Sequence, residues 1–184
     1  EHVFSPARES MRKRLPWLVV NLLTATAAAL VVRAFQATID QVVALAVFMT
    51  IVASMGGNAA TQTLTIIVRG IALGELTWGN SRKAVFKEAA VGLGNGVVLG
   101  MIGAVVVWGL SGNLYLGLIL GMAMVVNLLV AAIAATLIPI ALRALKIDPA
   151  LASAVFITTL TDVFGFFVFL GLATLFLPYL EPLT

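Results

Sequence analysis

The stretch LYLGLILGMAMVVNLLVAAIAATLIPIAL, residues 114–142, decides the fold class, because its 29 residues include no charged side chain. An apolar run of roughly 20 residues is long enough to cross a bilayer as a helix. The rest of the chain has the same character: 61% of its 184 residues are hydrophobic, 10% are charged, and the mean hydropathy is +1.11. A soluble domain carries roughly 25% charged residues. The composition therefore predicts a membrane protein and argues against a soluble enzyme or a nucleic-acid-binding protein.

Four further segments have the length and apolarity of membrane-spanning helices. They cover about residues 15–32, 42–68, 89–110 and 150–177. Backbone groups in hydrocarbon need internal hydrogen-bond partners, so each span is a helix or a strand of a closed barrel. The alternating ten-residue segments of barrel strands are missing. The sequence therefore predicts an all-α membrane protein with five transmembrane helices per protomer.

The basic residues indicate the orientation of these helices, because loops rich in Lys and Arg stay in the cytoplasm. Of the 11 basic residues, only Arg33 is predicted on the other side of the membrane. The remaining ten are Arg8, Arg12, Lys13, Arg14, Arg69, Arg82, Lys83, Lys87, Arg143 and Lys146. With five spans, this pattern predicts a cytoplasmic N-terminus and a C-terminus outside.

Asp162 is the carboxylate that the sequence places deepest in a predicted span. A charge at the bilayer centre costs about 2.5–3.5 kcal/mol on insertion scales, and such residues usually face a bundle interior or a water-filled path. Helical spacing puts Ala154, Thr158, Asp162 and Gly165 on one stripe, which predicts the lining of an aqueous path. The alternative is a protonated, hydrogen-bonded Asp162 that holds helices together.

The second predicted span contains a glycine pair, Gly56 and Gly57, followed by Asn58 and Gln62. A mid-span Gly-Gly pair favours a bend or local unwinding, which is tolerated at membrane depth only beside protein or water. Asn58 and Gln62 lie four residues apart, so their amides share a face. The alternative is that the glycines only permit close helix packing.

Other small and polar residues are typical of helix packing rather than of ligands. Gly92, Gly96 and Gly100 form the small-xxx-small pattern that lets helix backbones touch. Asn95 and Asn127 are isolated amides, which predicts interhelical hydrogen bonds.

The chemistry available to such a site is limited to oxygen ligands. Cys is absent, which excludes a Cys-based metal site, and the position of the single His2 beside the N-terminus argues against a His-rich one. Oxygen ligands favour hard cations such as Mg²⁺ or Ca²⁺. One Asp alone provides too few charged ligands for a divalent ion, but a twofold homodimer would bring two Asp162 side chains to a shared axis.

Several motifs, in order along the chain, resemble the transmembrane domain of the MgtE magnesium-channel family and its eukaryotic solute-carrier relatives. These motifs are Arg14-Leu15-Pro16-Trp17-Leu18, Met55-Gly56-Gly57-Asn58 with Gln62, Asp148-Pro149-Ala150, and residues 158–166, TTLTDVFGF. The resemblance implies a homodimer of five-helix protomers in the cell inner membrane, with 14–184 as the pore domain. It further implies a pore lined mainly by the second and fifth helices.

The resemblance also implies which residues hold hydrated Mg²⁺, here the transported ion. The selectivity site would be built around Asp162, with the backbone carbonyl of Thr158 one turn earlier and Asn58 close by. The predicted pore lining adds Gly57, Gln62, Ala154 and Gly165.

Family members usually carry a cytoplasmic N-terminal domain and a pair of CBS domains that close the pore. We expect residues 1–13 to be part of the helix connecting those domains, and the sequence to be a piece of a longer protein. Three other functions stay open: a transporter coupled to H⁺ or Na⁺, a structural membrane subunit and, least favoured, an intramembrane enzyme.

Overall fold

The computed structural model describes residues 6–147 and 149–180, with side chains at all of these except 150–152. The described residues form helices and no strands. Their bounds are α1 Ala7–Ala34, α2 Gln36–Gln41, α3 Ala44–Ala72, α4 Ser81–Ser111, α5 Leu114–Ala144, α6 Pro149–Leu175 and α7 Leu177–Leu180. The five long helices are apolar enough to cross a membrane, which confirms the predicted all-α membrane fold.

The long helices alternate in direction, so that every second connection lies at the same end of the bundle. At one end, the Arg143 guanidinium in the last turn of α5 donates to the Leu76 carbonyl in the loop after α3, at 3.2 Å. At the other end, the Asn113 amide before α5 donates to the Tyr179 carbonyl in α7, at 3.2 Å. We call the first of these the basic end, because the ten basic residues named above lie in the helix ends and loops on that side of the bundle.

Helix α5 is the centre of the bundle. It is the most apolar of the long helices and has the largest buried share, including Leu116, Leu120 and Leu128 with no exposed surface. Helices α3, α4 and α6 each pack against it, whereas α1 packs mainly on α6. Burial of these large aliphatic side chains against neighbouring helices fixes the order of the bundle by close packing.

Glycine allows α4 and α5 to lie in backbone contact, as predicted from their spacing in the sequence. A Cβ atom on Gly96 would come within 2.9 Å of Val125 Cα, and one on Gly100 within 2.7 Å of the Gly121 carbonyl oxygen. Distances under 3.0 Å leave no room for a side chain on either residue. The small-xxx-small interpretation of this helix is therefore confirmed.

Two predicted boundaries are wrong. α1 begins at Ala7 rather than near residue 15, so residues 7–13 are helical and continuous with the first spanning segment. α4 begins at Ser81 rather than near residue 89, which shortens the preceding link to residues 73–80. The first turns of α1 and α4 contain charged side chains. Hydropathy detects only the apolar part of a helix, so it placed both helix starts too late. Asp148, the first residue of the Asp148-Pro149-Ala150 motif, lies outside the described residues.

Candidate functional site

Three helices meet at the side chain of Asn127, in the middle of α5. This side chain has no exposed surface, and its Nδ2 donates to the Val52 carbonyl of α3 at 2.9 Å. Two glycines make room for it: a Cβ on Gly56 would collide with Nδ2, and a Cβ on Gly165 would come within 2.8 Å of the same atom. The predicted interhelical hydrogen bond of Asn127 is thus confirmed.

Of the two effects expected of the Gly56–Gly57 pair, a bend or local unwinding, the unwinding is wrong. α3 is a single uninterrupted helix from Ala44 to Ala72. Gly56 is buried because it accommodates Asn127, which is the packing alternative. Gly57 has no atom within 4 Å of a hypothetical Cβ, so it faces open space.

The Asn127 crossing also fixes the relative depth of Asn58 and Asp162. Gly56 on α3 and Gly165 on α6 contact the same amide, so they lie level with each other. Asn58 follows Gly56 by two residues and Asp162 precedes Gly165 by three, on helices that run in opposite directions. At 1.5 Å per residue, both lie nearer the basic end, by about 3 Å and about 4.5 Å. The two predicted site residues therefore share one depth, near the middle of the spanning helices α3 and α6.

Asp162 is half-buried at this depth. Within the described part of the chain, its carboxylate has neither a hydrogen bond nor an ion pair. A buried carboxylate that held helices together would have such a partner. The alternative role of Asp162 as a hydrogen-bonded link between helices therefore finds no support in the described contacts of one protomer.

At the depth of Asp162, α3 presents a continuous polar face to the outside of the protomer. The α3 polar face consists of Thr50, Ser54, Asn58, Thr61, Gln62 and Thr65, all exposed. It extends about 22 Å along the helix, most of the thickness of the hydrocarbon core. The hydroxyls of Thr61 and Thr65 donate to carbonyls four residues earlier, which leaves their oxygens able to accept hydrogen bonds from water.

This polar face contrasts with the outer surface of α4 around Val98, Met101 and Val105, whose large apolar side chains are 52–63% exposed. Amides exposed to hydrocarbon without a partner are costly, by roughly 2–7 kcal/mol each depending on the reference state. The α3 polar face is therefore suited to water or to another protein surface, and not to lipid.

The remaining predicted lining residues divide into two groups. Ala154 is exposed and lies two turns from Asp162 towards the basic end, and Thr158 is half-buried and lies one turn from it. Gly165 is buried against Asn127 and Val52, in the packed crossing and apart from the exposed polar groups. Because Gly165 has no side chain, it leaves room for the Asn127 amide of α5. The spacing of residues along α6 alone could not predict this contact.

Both oxygens of Thr158 already have partners. Its hydroxyl donates to the Ala154 carbonyl at 2.9 Å, and its carbonyl accepts from the Thr161 hydroxyl at 3.0 Å. That carbonyl also lies in the helical hydrogen-bond ladder. A cation that used it as a ligand would have to displace the Thr161 hydroxyl.

Sequence reasoning missed a second carboxylate within a candidate spanning helix, Glu88 of α4, which is only 3% exposed. Assigned to a cytoplasmic link, Glu88 is in fact two turns inside α4. It also missed that the hydroxyls of α3 extend the Asn58 face over four turns. The spacing of residues 50, 54, 58, 61 and 65 was the available signal, since steps of three and four residues follow one side of a helix.

The donor set matches a hydrated hard cation better than a dehydrated one. The described residues contain no group of three or more His, Cys, Asp or Glu side chains able to hold a metal together. Mg²⁺ loses its waters reluctantly and is commonly bound by one or two carboxylates through a partly retained hydration shell. One carboxylate, amides and hydroxyls on two adjacent helices provide such contacts.

Fold and site together define a multi-pass helical membrane protein with an oxygen-rich polar surface at mid-membrane. Residues 49–172 match the family model MgtE, described as a divalent cation transporter. The chain belongs to the MgtE family, as the sequence motifs suggested.

Relatives that carry the name magnesium transporter MgtE come from three bacteria. The Bacillus subtilis protein is 35% identical over 90% of this chain and 37% of its own length. The Enterococcus faecalis protein is 34% identical over 97% of this chain and 40% of its own length, and the Thermus thermophilus protein is 32% identical over 89% of this chain and 36% of its own length. The chain thus spans about two-fifths of the length of these relatives.

Proposed function

We propose that this chain forms a Mg²⁺ channel in which two copies enclose a water-filled path between their α3 polar faces. The observation that carries the proposal is the shared depth of Asp162 and Asn58 beside a 22 Å polar face that is open in one protomer. A twofold axis through this face would place two Asp162 carboxylates opposite each other. Their summed charge balances one divalent ion.

In this proposal Asp162 attracts the ion and Asn58 orients its waters. Gln62, Gly57 and Ala154 line the same path, and Thr158 contributes its carbonyl once Thr161 releases it. Gly165 has no part in the lining, because it lies in the Asn127 crossing. Hydrated Mg²⁺ passes without stripping all its waters, which suits a site with few protein ligands.

The names of the relatives support Mg²⁺ as the transported ion. We place the protein in the cell inner membrane with α1 starting in the cytoplasm. Membrane potential then drives a divalent ion inward with about 4.6 kcal/mol per 100 mV, twice the value for a single charge.

A transporter that couples Mg²⁺ to H⁺ or Na⁺ is the second candidate, because intramembrane carboxylates serve as proton relays. Proteoliposomes loaded with a Mg²⁺-sensitive dye distinguish the two. We expect a K⁺ diffusion potential alone to drive Mg²⁺ uptake, with imposed pH or Na⁺ gradients leaving the initial rate unchanged. Mg²⁺ uptake that requires one of these gradients would establish the coupled transporter and refute the channel.

Water access to the α3 polar face is directly testable, because the chain contains no Cys to remove. We expect Ser54→Cys to react with a charged methanethiosulfonate reagent in proteoliposomes, and the modification to reduce Mg²⁺ flux severalfold. The attached group would narrow the path, and this narrowing is the reason for the reduced flux. The flux before and after modification is the measurement.

Val98→Cys is the matched control, since Val98 is 52% exposed on an apolar surface of α4 that we assign to lipid. It should stay unmodified by the charged reagent while reacting with a lipid-soluble maleimide. Equal reactivity of the two cysteines towards the charged reagent would contradict the proposed water-filled path.

A further inference from the structure

A second polar region adjoins the α3 polar face, in a cleft between α3 and α4. These two helices touch each other only slightly, because each packs on α5. The gap between them has a volume of about 100 Å³. Its polar lining residues are Gln62, Thr63, Lys87, Glu88 and Asn95, and Leu128 and Ala132 of α5 are among the apolar ones.

Glu88 is the buried charge of this cleft. One carboxylate oxygen accepts from the Thr63 hydroxyl at 3.3 Å, a long hydrogen bond, and the other from the Lys87 ammonium at 2.6 Å. The two side chains of the ion pair differ in burial: Glu88 is 3% exposed and Lys87 63%. The carboxylate is therefore fixed, whereas its cation is on a flexible stem that reaches in from outside.

The cleft supplies further oxygen atoms. The amides of Gln62 and Asn95 are exposed and have no side-chain hydrogen bond among the described residues. A carboxylate, a hydroxyl and two amide oxygens are the ligand types that hard divalent cations prefer. The volume of the cleft leaves room for such an ion together with water.

The cleft is connected to the proposed path through Gln62, which belongs both to the α3 polar face and to the cleft lining. Glu88 is level with Thr63, to which it is hydrogen-bonded. Thr63 follows Asn58 by five residues, so the cleft lies about 7.5 Å nearer the basic end than Asn58. An ion in the cleft would therefore lie beside the path, between the basic end and Asp162.

We propose that the Glu88 cleft is a second divalent-cation site, in which the Lys87 ammonium occupies the carboxylate until an ion displaces it. The proposal rests on the proposed function for the identity of the ion. It predicts effects of opposite sign for the two members of the ion pair. Loss of Glu88 removes the site, whereas loss of Lys87 removes a competitor of the ion and strengthens binding.

The experiment measures Mn²⁺ binding to the purified protein by the paramagnetic resonance of free Mn²⁺, with Mg²⁺ as competitor. The background is Asp162→Asn, so that the proposed mid-membrane site is absent. We expect one Mg²⁺-displaceable Mn²⁺ per protomer in this background. Adding Glu88→Gln should abolish it, and adding Lys87→Gln should instead tighten it about fivefold, which corresponds to about 1 kcal/mol.

Asp40→Asn is the matched control, because Asp40 is an exposed carboxylate of α2, at the other end of the bundle from this cleft; it should leave binding unchanged. Unchanged or weakened binding in Lys87→Gln would overturn the proposal, and so would retained binding in folded Glu88→Gln. If Glu88→Gln does not fold, Lys87→Gln still decides the matter. Failure of the channel proposal would appear elsewhere, as unchanged Mg²⁺ flux in Asp162→Asn protein.

Discussion

Asp162→Asn is expected to lower Mg²⁺ flux at low Mg²⁺ concentration by at least tenfold, measured by dye-loaded proteoliposomes. The substitution keeps the shape of the side chain and removes its charge. A divalent ion about 5 Å from a carboxylate, with one water between them, gains about 1.7 kcal/mol even at the dielectric constant of water. Each 1.4 kcal/mol is a factor of ten, and the less polar membrane interior increases the effect.

Selectivity should change together with the rate. Without the paired carboxylates, we expect the preference for Mg²⁺ over K⁺ to fall in the same assay, since amides and hydroxyls do not select for charge two. Asp40→Asn is the control. Asp40 is an exposed carboxylate of α2 and accepts a hydrogen bond from Gln36; it lies shortly after the C-terminal end of α1. Wild-type flux in the Asp162→Asn protein would refute the role of this residue.

Hydropathy and charge were sufficient to predict the number of spanning helices, because lipid requires long apolar helices whatever their tertiary partners. They were not sufficient for the polar ends of helices. Residues 81–88 include Arg82, Lys83, Lys87 and Glu88, so they were assigned to a link, although their backbone continues α4. Burial of Glu88 depends on α3 and α5, which no local pattern of α4 describes.

The candidate site was predictable where chemistry alone marks a residue, as with a carboxylate at mid-membrane. It was not predictable where a neighbouring helix decides the role. Gly56, Gly57 and Gly165 all lie in polar motifs. Gly56 and Gly165 make room for the Asn127 side chain, whereas Gly57 faces open space. Which glycine packs and which lines a surface follows from helix rotation, and that is fixed by contacts between residues more than 35 positions apart.

A hydroxyl pair further illustrates this dependence on partners. The Thr159 hydroxyl donates to the Thr24 hydroxyl of α1 at 2.7 Å, and so ties the peripheral helix α1 to α6 three residues before Asp162. From the sequence, Thr159 was one of several threonines in its motif with no special role. Its position shows that α6 is held from two sides, by Thr24 of α1 and by the Asn127 crossing of α5.

Gly56→Ala is expected to be the most destabilising single-methyl change in α3, although alanine is the better helix former. The new Cβ would collide with Asn127 Nδ2, which is fully buried and cannot move into solvent. Overpacking of a tight core costs about 1–3 kcal/mol. Displacement of the amide also breaks its hydrogen bond to the Val52 carbonyl and leaves a buried donor unpaired, for about 1–3 kcal/mol more. Thermal unfolding of the purified protein in detergent measures the loss.

The adjacent glycine provides the control. Gly57→Ala adds the same methyl group to the same helix where nothing lies within 4 Å, so its unfolding temperature should stay within experimental error of wild type or rise slightly. The double variant Gly56→Ala with Asn127→Ala should recover part of the loss, because the colliding amide is gone and residue 127 no longer needs a partner. Equal effects of Gly56→Ala and Gly57→Ala would mean that the helix crossing does not pack around Asn127, and the common depth of Asn58 and Asp162 would lose its basis.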